Sequence, residues 1–156
     1  MDHGNNACPH DIVLASSSPY RKILIERLTL DVRAMAPDID ETSRPDESAH
    51  DYVKRLAIEK AHCVYERLAN APTEPGTVGA KTLVIGSDQC AVLGQTIVGK
   101  PGSIAGAIAQ LQASSGRTVQ FLTGLAVQGQ HGVEADVVAY SVRFRTLTMP
   151  EIERYV

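Results

Sequence analysis

Apolar residues fall along this chain in short unbroken runs and in a helical spacing of three or four, and the alternation of the two predicts an α/β arrangement. The run Ile12-Val13-Leu14-Ala15 predicts a buried strand, and Ser16-Ser17-Ser18 predicts the turn that leaves it. Ser18 followed by Pro19 reads as an N-cap and a proline at the first helical position, so a helix starts at the strand's exit. Over Pro19 to Leu30, Ile23, Leu24 and Leu28 share one face, with Arg21, Lys22 and Glu26 on the other. A short extended segment follows over residues 31–36. The stretch from Pro37 to Glu47 is too polar and proline-punctuated for regular structure and reads as an acidic loop.

Ser48 caps the next expected helix, whose core face is Val53, Leu56, Ala57, Ala61, Val64 and Leu68. That pattern assigns Lys54, Arg55, Glu59 and Lys60 to solvent-side or rim positions. Asn70 to Gly79, with Pro72, Pro75 and two glycines, reads as a connector. Thr82 to Gly86 predicts a second apolar strand that delivers Ser87-Asp88-Gln89 at its carboxyl end. A hairpin follows, from Cys90–Leu93 to Thr96–Val98, and Ser103 caps a helix over Ile104–Ser114 with Ile104, Ile108 and Leu111 on one side. Residues 118–128 and 133–146 flank Gly129-Gln-His-Gly132 as the arms of a long hairpin. Thr148 and Glu151 then have the spacing of a capping box, opening a helix just before the sequence stops at Val156.

Composition narrows the class. A chain of 156 residues, 44% hydrophobic, can build one domain with a genuine core. A formal charge of -3 argues against broad nucleic-acid or anionic-membrane binding, so a polyanionic ligand needs a local basic cluster. No apolar run approaches membrane-spanning length, and the start of the chain lacks the pattern of a secretory signal. The expected setting is the cytoplasm. Cys8, Cys63 and Cys90 have neither paired nor metal-finger spacing, and Cys63 and Cys90 read as small core residues. His50 and His62 are not spaced to bind a metal from one helical face.

The candidate chemistry lies where strands end. Free N–H groups at the start of a helix, with serine hydroxyls and Arg21 beside them, can cradle phosphate, although most capped turns bind nothing. Asp38, Asp40 and Glu41 can supply hard oxygen ligands to Mg²⁺ or simply be a solvated acidic loop. Asp88, beyond a strand end in an α/β sheet, is the leading carboxylate for binding metal or activating water. Gly94 to Pro101 nearly matches a P-loop, but Pro101 replaces the hydroxyl residue and the flanking segments are β-like. That reading is rejected, and Lys100 stays as a candidate phosphate contact.

These stretches form one ordered set: Leu14-Ala-Ser-Ser-Ser-Pro-Tyr-Arg21, Asp40-Glu41, Arg55-Leu-Ala-Ile-Glu-Lys-Ala61, Gly86-Ser-Asp-Gln89 and Gly99-Lys-Pro101. Together with Phe121-Leu-Thr-Gly-Leu125 and Glu151-Ile-Glu-Arg-Tyr155, they resemble the Maf family of nucleotide pyrophosphatases. The resemblance implies an α/β fold, an extended mixed β-sheet flanked by helices, with two lobes around a central cleft, as in inosine triphosphatases, often in a homodimer. It implies hydrolysis of a nucleoside triphosphate between its α and β phosphates. Carried over by motif, Ser16 and Arg21 contact phosphate, Lys60 and Lys100 neutralise the triphosphate, and Glu41 and Asp88 serve a divalent metal. Asp88 matches the proton acceptor. Mg²⁺ is the default ion for such oxygen ligands, with Mn²⁺ a substitute.

Tyr20 and Gln89 replace an arginine and a threonine of other branches and make the chain similar to the 7-methyl-GTP branch. Tyr20 could stack near a cationic methylated purine or serve packing alone. Family members continue beyond the helix that starts at Pro150. The resemblance therefore implies an N-terminal extension at residues 1–11 and a domain over 12–156 that is incomplete at its C-terminus, with activity or stability open to loss. Two further readings stand beside the enzyme: a catalytically impaired nucleotide-binding regulator linked to septum formation, and a general α/β binding module.

Overall fold

The computed structural model describes residues 10–71 and 81–156. Most of the expected N-terminal extension, Cys8, and most of the connector after Asn70 lie outside the described residues. Within them the order is β1 (Asp11–Ala15), α1 (Pro19–Glu26), β2 (Val32–Met35), α2 (Ala49–Ala69), β3 (Thr82–Leu93), β4 (Thr96–Val98), α3 (Ile104–Ser114), β5 (Thr118–Gly129), β6 (Gly132–Arg143) and α4 (Met149–Tyr155). The strands form one mixed sheet in the order β2-β1-β3-β5-β6, with β4 paired to β3 off that path. This is the α/β class that the hydrophobic pattern predicts, with the extended mixed sheet that the resemblance implies.

β1 lies between β2 and β3 and runs parallel to both, which is why its sequence is continuously apolar instead of alternating. Val13 and Ala15 join Ala57, Ala61, Val64, Leu68, Val84 and Ala126 in the core beneath α2. Ile12 and Leu14 point the other way and meet Val32, Ile25, Leu30 and Ile85. α2 begins where the Ser48 hydroxyl accepts the Asp51 N–H at 3.1 Å. All six of its expected core residues are buried. α3 and α4 pack on each other near the far end of the sheet, and α4 opens with Glu151 accepting the Thr148 N–H at 2.7 Å. Hydrogen bonds from the Thr148 backbone and hydroxyl, then from Arg145, hold the Glu151 carboxyl down at about 2.

The structure corrects two expectations here. The helix expected to reach Leu30 ends at Glu26, and Ile23, Leu24 and Leu28 are exposed. The chain turns at Thr29, whose φ is 57°, in order to enter β2, so only Ile25 and Leu30 face inward. The second correction matters more. The strand expected to end at Gly86 and the hairpin arm beginning at Cys90 are one strand, because β5 pairs with β3 without interruption from Val84 to Leu93. Ser87-Asp88-Gln89 is therefore internal to β3. On β3's opposite edge the parallel partner β1 stops at Gly86 and the antiparallel partner β4 begins at Ala91. Among the described residues, no strand covers that edge over 87–90, and the sheet opens there.

Candidate active site

Tyr52, Leu56 and Lys60 recur every fourth residue on α2 and so share a stripe. The stripe runs toward the opening in the sheet. Lys60, expected at the rim, is 4% exposed, because α2 lies so low on β3 and β5 that this position meets the sheet instead of solvent. Its ammonium is 2.7 Å from Asp88 Oδ1 and 2.7 Å from Glu41 Oε1. Asp88 is buried as well, whereas the Glu41 side chain is half exposed. One buried cation thus joins a carboxylate of the sheet to a carboxylate of the acidic loop.

The serine turn stands opposite. Ser16 is buried, and its hydroxyl accepts the Ser18 N–H at 3.1 Å and Arg21 Nη1 at 3.5 Å. Ser18 in turn accepts the Arg21 N–H as the N-cap of α1. Arg21 is therefore folded back over the turn that precedes it, with the start of α1 beside its guanidinium.

The loop bearing Glu41 is held from several directions. Tyr52 donates its hydroxyl to the Glu41 carbonyl at 3.0 Å, and Arg55 Nη2 donates to the Thr42 carbonyl at 3.1 Å. Asp40 accepts both the backbone N–H and the hydroxyl of Thr42, which lowers its carboxyl below the usual range. Of the three acidic candidates in this loop, only Glu41 lines the cavity. Asp40 is engaged within the loop, and the Asp38 carbonyl lies against the Cys63 thiol. Among the described residues no cluster of three or more His, Cys, Asp or Glu could hold a metal by itself.

These elements enclose a cavity of about 780 Å³. Ser16, Arg21, Glu41, Lys60, Asp88, Gln89 and Lys100 all line it. Asp88 and Gln89 are successive strand residues and would ordinarily serve opposite faces, but the uncovered edge lets one space reach both. The Gln89 amide donates to Thr123 Oγ1 at 2.7 Å, its cross-strand neighbour. Tyr20 is not brought in: it is 78% exposed on α1 and outside the cavity lining.

Sequence reasoning missed Tyr52 and Phe121, which also line the cavity. The position of Tyr52 two helical steps before Lys60 was the available signal. Burial, then the negative charge of Asp88 and Glu41, pushes the Tyr52 phenol up and keeps it protonated. Burial and Asp88 likewise push up the Cys90 thiol, in keeping with a packed residue. Cys63 departs from the expected core role, being only partly buried beside Arg67.

With this geometry in place, comparison with known proteins is decisive for the family. The Maf-like protein family matches residues 11–156. The chain belongs to the Maf family. A 7-methyl-GTP pyrophosphatase of Alkalilimnicola ehrlichii is 50% identical over 147 residues, covering 93% of this Maf chain and 68% of that protein. One of Pseudomonas fluorescens is 46% identical over 147 residues, with 93% and 71% covered. Among solved structures, the Staphylococcus aureus Ham1 protein aligns with a TM-score of 0.50 at 17% identity, covering 85% of this chain and 71% of that one. That likeness concerns the fold. No helix among the described residues of this Maf protein is long and apolar enough to cross a membrane.

Proposed function

We propose that this chain is a nucleoside triphosphate pyrophosphatase that hydrolyses the α-β phosphoanhydride of 7-methyl-GTP. The observation that carries the reading is Lys60 poised between Asp88 and Glu41 on the wall of a cavity that also presents Arg21 and Lys100. The Maf membership and the names of its relatives give that constellation its substrate class.

A triphosphate entering the cavity meets three cationic side chains. Arg21 and the Ser16 hydroxyl contact phosphate at the start of α1, while Lys60 and Lys100 offset its charge. Asp88 orients a water and accepts its proton as the water oxygen bonds to the α-phosphorus. The bond from that phosphorus to the bridging oxygen breaks, and pyrophosphate leaves. Positioning accounts for much of the rate, since the water and the phosphate are held as neighbours.

The donor set fits a divalent cation. Glu41 and Asp88 are carboxylates that converge on one positive charge, and Mg²⁺ is commonly held by one or two carboxylates plus substrate phosphates. These two residues would hold Mg²⁺, or Mn²⁺ in its place. When bound, the ion supplies charge neutralisation and alignment of the phosphates. Gln89, fixed by Thr123 at the cavity, is the residue best placed to read the base; Tyr20 would have to act from outside it. A homodimer in the cytoplasm completes the reading, and sedimentation velocity tests the first part of it.

The deciding experiment gives the purified chain Mg²⁺ and a panel of triphosphates and resolves the products. Release of monophosphate and pyrophosphate, fastest from 7-methyl-GTP and abolished by Asp88→Asn, is the expected outcome. Nucleotide binding without turnover would replace the enzyme with a nucleotide-binding regulator.

A further inference from the structure

Arg55 does not line the cavity, yet it is the most heavily bonded side chain around it. Its guanidinium reaches Glu47 Oε2 at 2.7 Å and Glu59 Oε2 at 3.0 Å, and donates to the Thr42 carbonyl. Arg44 closes the set through Glu59 Oε1 at 2.9 Å. The Arg55 and Glu47 side chains are almost buried, and the guanidinium carbon stands 5.7 Å from the centre of the Tyr52 ring. Tyr52 itself holds the Glu41 carbonyl.

Two side chains of α2 therefore grip two successive carbonyls of the acidic loop, and Arg55 also grips Glu47 near the loop's end. The side chain of Glu41, by contrast, is half exposed and has, among the described residues, a single ion-pair partner, Lys60. A pair of that kind does not fix a loop by itself. The placement of the Glu41 carboxylate must come from the backbone, and the backbone is held by Tyr52 and Arg55. A planar fork is needed to satisfy Glu47, Glu59 and a carbonyl together, a task that a lysine's point charge does not perform.

We infer that Arg55, assisted by Tyr52, is a positioning residue: it holds the 41–42 backbone so that the Glu41 carboxylate stays beside Lys60 and Asp88. The importance of Glu41 rests on the pyrophosphatase reading; the clamp on its backbone does not.

The test is a double-mutant cycle in the full chain, using Arg55→Ala, Glu41→Gln and their combination, with Arg55→Lys and Tyr52→Phe alongside. Two quantities are read. One is kcat and KM for 7-methyl-GTP with Mg²⁺; the other is Mn²⁺ affinity from water-proton relaxation, which needs no turnover. Arg55→Ala should lower kcat by about 10- to 100-fold with a much smaller change in KM, the signature of misplaced catalytic groups. It should weaken Mn²⁺ binding about as much as Glu41→Gln. In the Glu41→Gln background it should cost nothing further, because its effect passes through Glu41. Arg55→Lys should resemble Arg55→Ala, and Tyr52→Phe should move both quantities the same way by less.

Full additivity of Arg55→Ala and Glu41→Gln would overturn the inference, since a general loss of structure is blind to Glu41. Folded Arg55→Ala with parental kcat and Mn²⁺ affinity would overturn it as well. If Arg55→Ala does not fold, as judged by circular dichroism, the cycle of Tyr52→Phe with Glu41→Gln decides by the same criterion. A parent chain that releases no pyrophosphate, but whose Mn²⁺ affinity shows the non-additive pattern, would sink the pyrophosphatase reading and support the clamp.

Discussion

Gly86 lies directly under Ala57, so close that a Cβ built on the glycine would stand 2.0 Å from the Ala57 carbonyl oxygen. Gly124, opposite Asp88 on β5, makes the same approach to Val53, at 2.2 Å from its carbonyl oxygen. Two missing side chains let α2 rest on the strand backbones, and Lys60 reaches Asp88 because the helix is that low. Gly86→Ala should raise the helix, destabilise the protein by about 1–3 kcal/mol, and reduce hydrolysis through separation of Lys60 from Asp88. Urea denaturation and turnover, measured on the same preparation, check both parts. A variant that keeps parental stability and rate would show that the contact relaxes elsewhere.

Removing Lys60 leaves Asp88 buried without its ion-pair partner. Lys60→Met should cost about 1–3 kcal/mol from the unsatisfied carboxylate and reduce kcat on the order of 10²–10³-fold. Adding Asp88→Asn should restore part of the lost stability and none of the activity, because an amide tolerates the lost cation while no longer accepting a proton. With Asp88→Asn alone measured beside them, strict additivity of the two substitutions would mean that the 2.7 Å contact carries no coupling.

The Arg55 fork, above all other influences, holds the Glu47 carboxyl at about 2, against an ordinary value of 4.5. Since the folded value lies below the unfolded one, the stabilisation is complete above pH 4.5 and is lost as pH falls toward 2. Urea midpoints across that acidic range should therefore fall more steeply for the parent than for Glu47→Gln, which has no proton to take up at this position. Parallel curves would remove Glu47 from the acid transition.

Gln89 and Tyr20, the two positions that the resemblance singles out for specificity, should differ in their effect on base selection. Gln89→Ala should reduce the preference for 7-methyl-GTP over GTP by about tenfold, the scale of one pocket contact. Tyr20→Ala, on an exposed face outside the cavity, should change that ratio by less than about twofold. Comparison of kcat/KM for the two nucleotides decides, and the reverse ranking would move base recognition to α1.

The hydrophobic pattern made much of this architecture legible because local causes dominate it. The buried run at β1, the core stripe of α2 and the serine caps at Ser18, Ser48 and Ser103 are all properties of neighbours in sequence. The ordered motifs also named Ser16, Arg21, Glu41, Lys60, Asp88, Gln89 and Lys100, all of which line the cavity, but they named Tyr20, which does not, and left out Tyr52, which does. What escaped was set by distant partners. Ser87-Asp88-Gln89 reads as the residues just past a strand's carboxyl end, and only continuous pairing with β5 makes it internal to β3. Lys60 reads as a rim residue, and only the glycines on two other strands bury it. Arg55 sat within a recognised motif, but its work depends on Glu47 and Thr42, whose approach no helical period foretells.

The order in which the chain is made bears on when this site can exist. β1 finds one neighbour early, in β2, but its other neighbour is β3, which pairs Ile12 with Leu83 from the opposite half of the sequence. Non-local parallel pairing of this kind forms slowly compared with hairpins such as β5–β6. A nascent chain released only as far as α2 already carries Ser16, Arg21, Glu41 and Lys60, yet it lacks both Asp88 and the strand that receives the helix. Until β3 and β5 emerge, the apolar face of α2 has no sheet to pack on and Lys60 has no Asp88 to pair with.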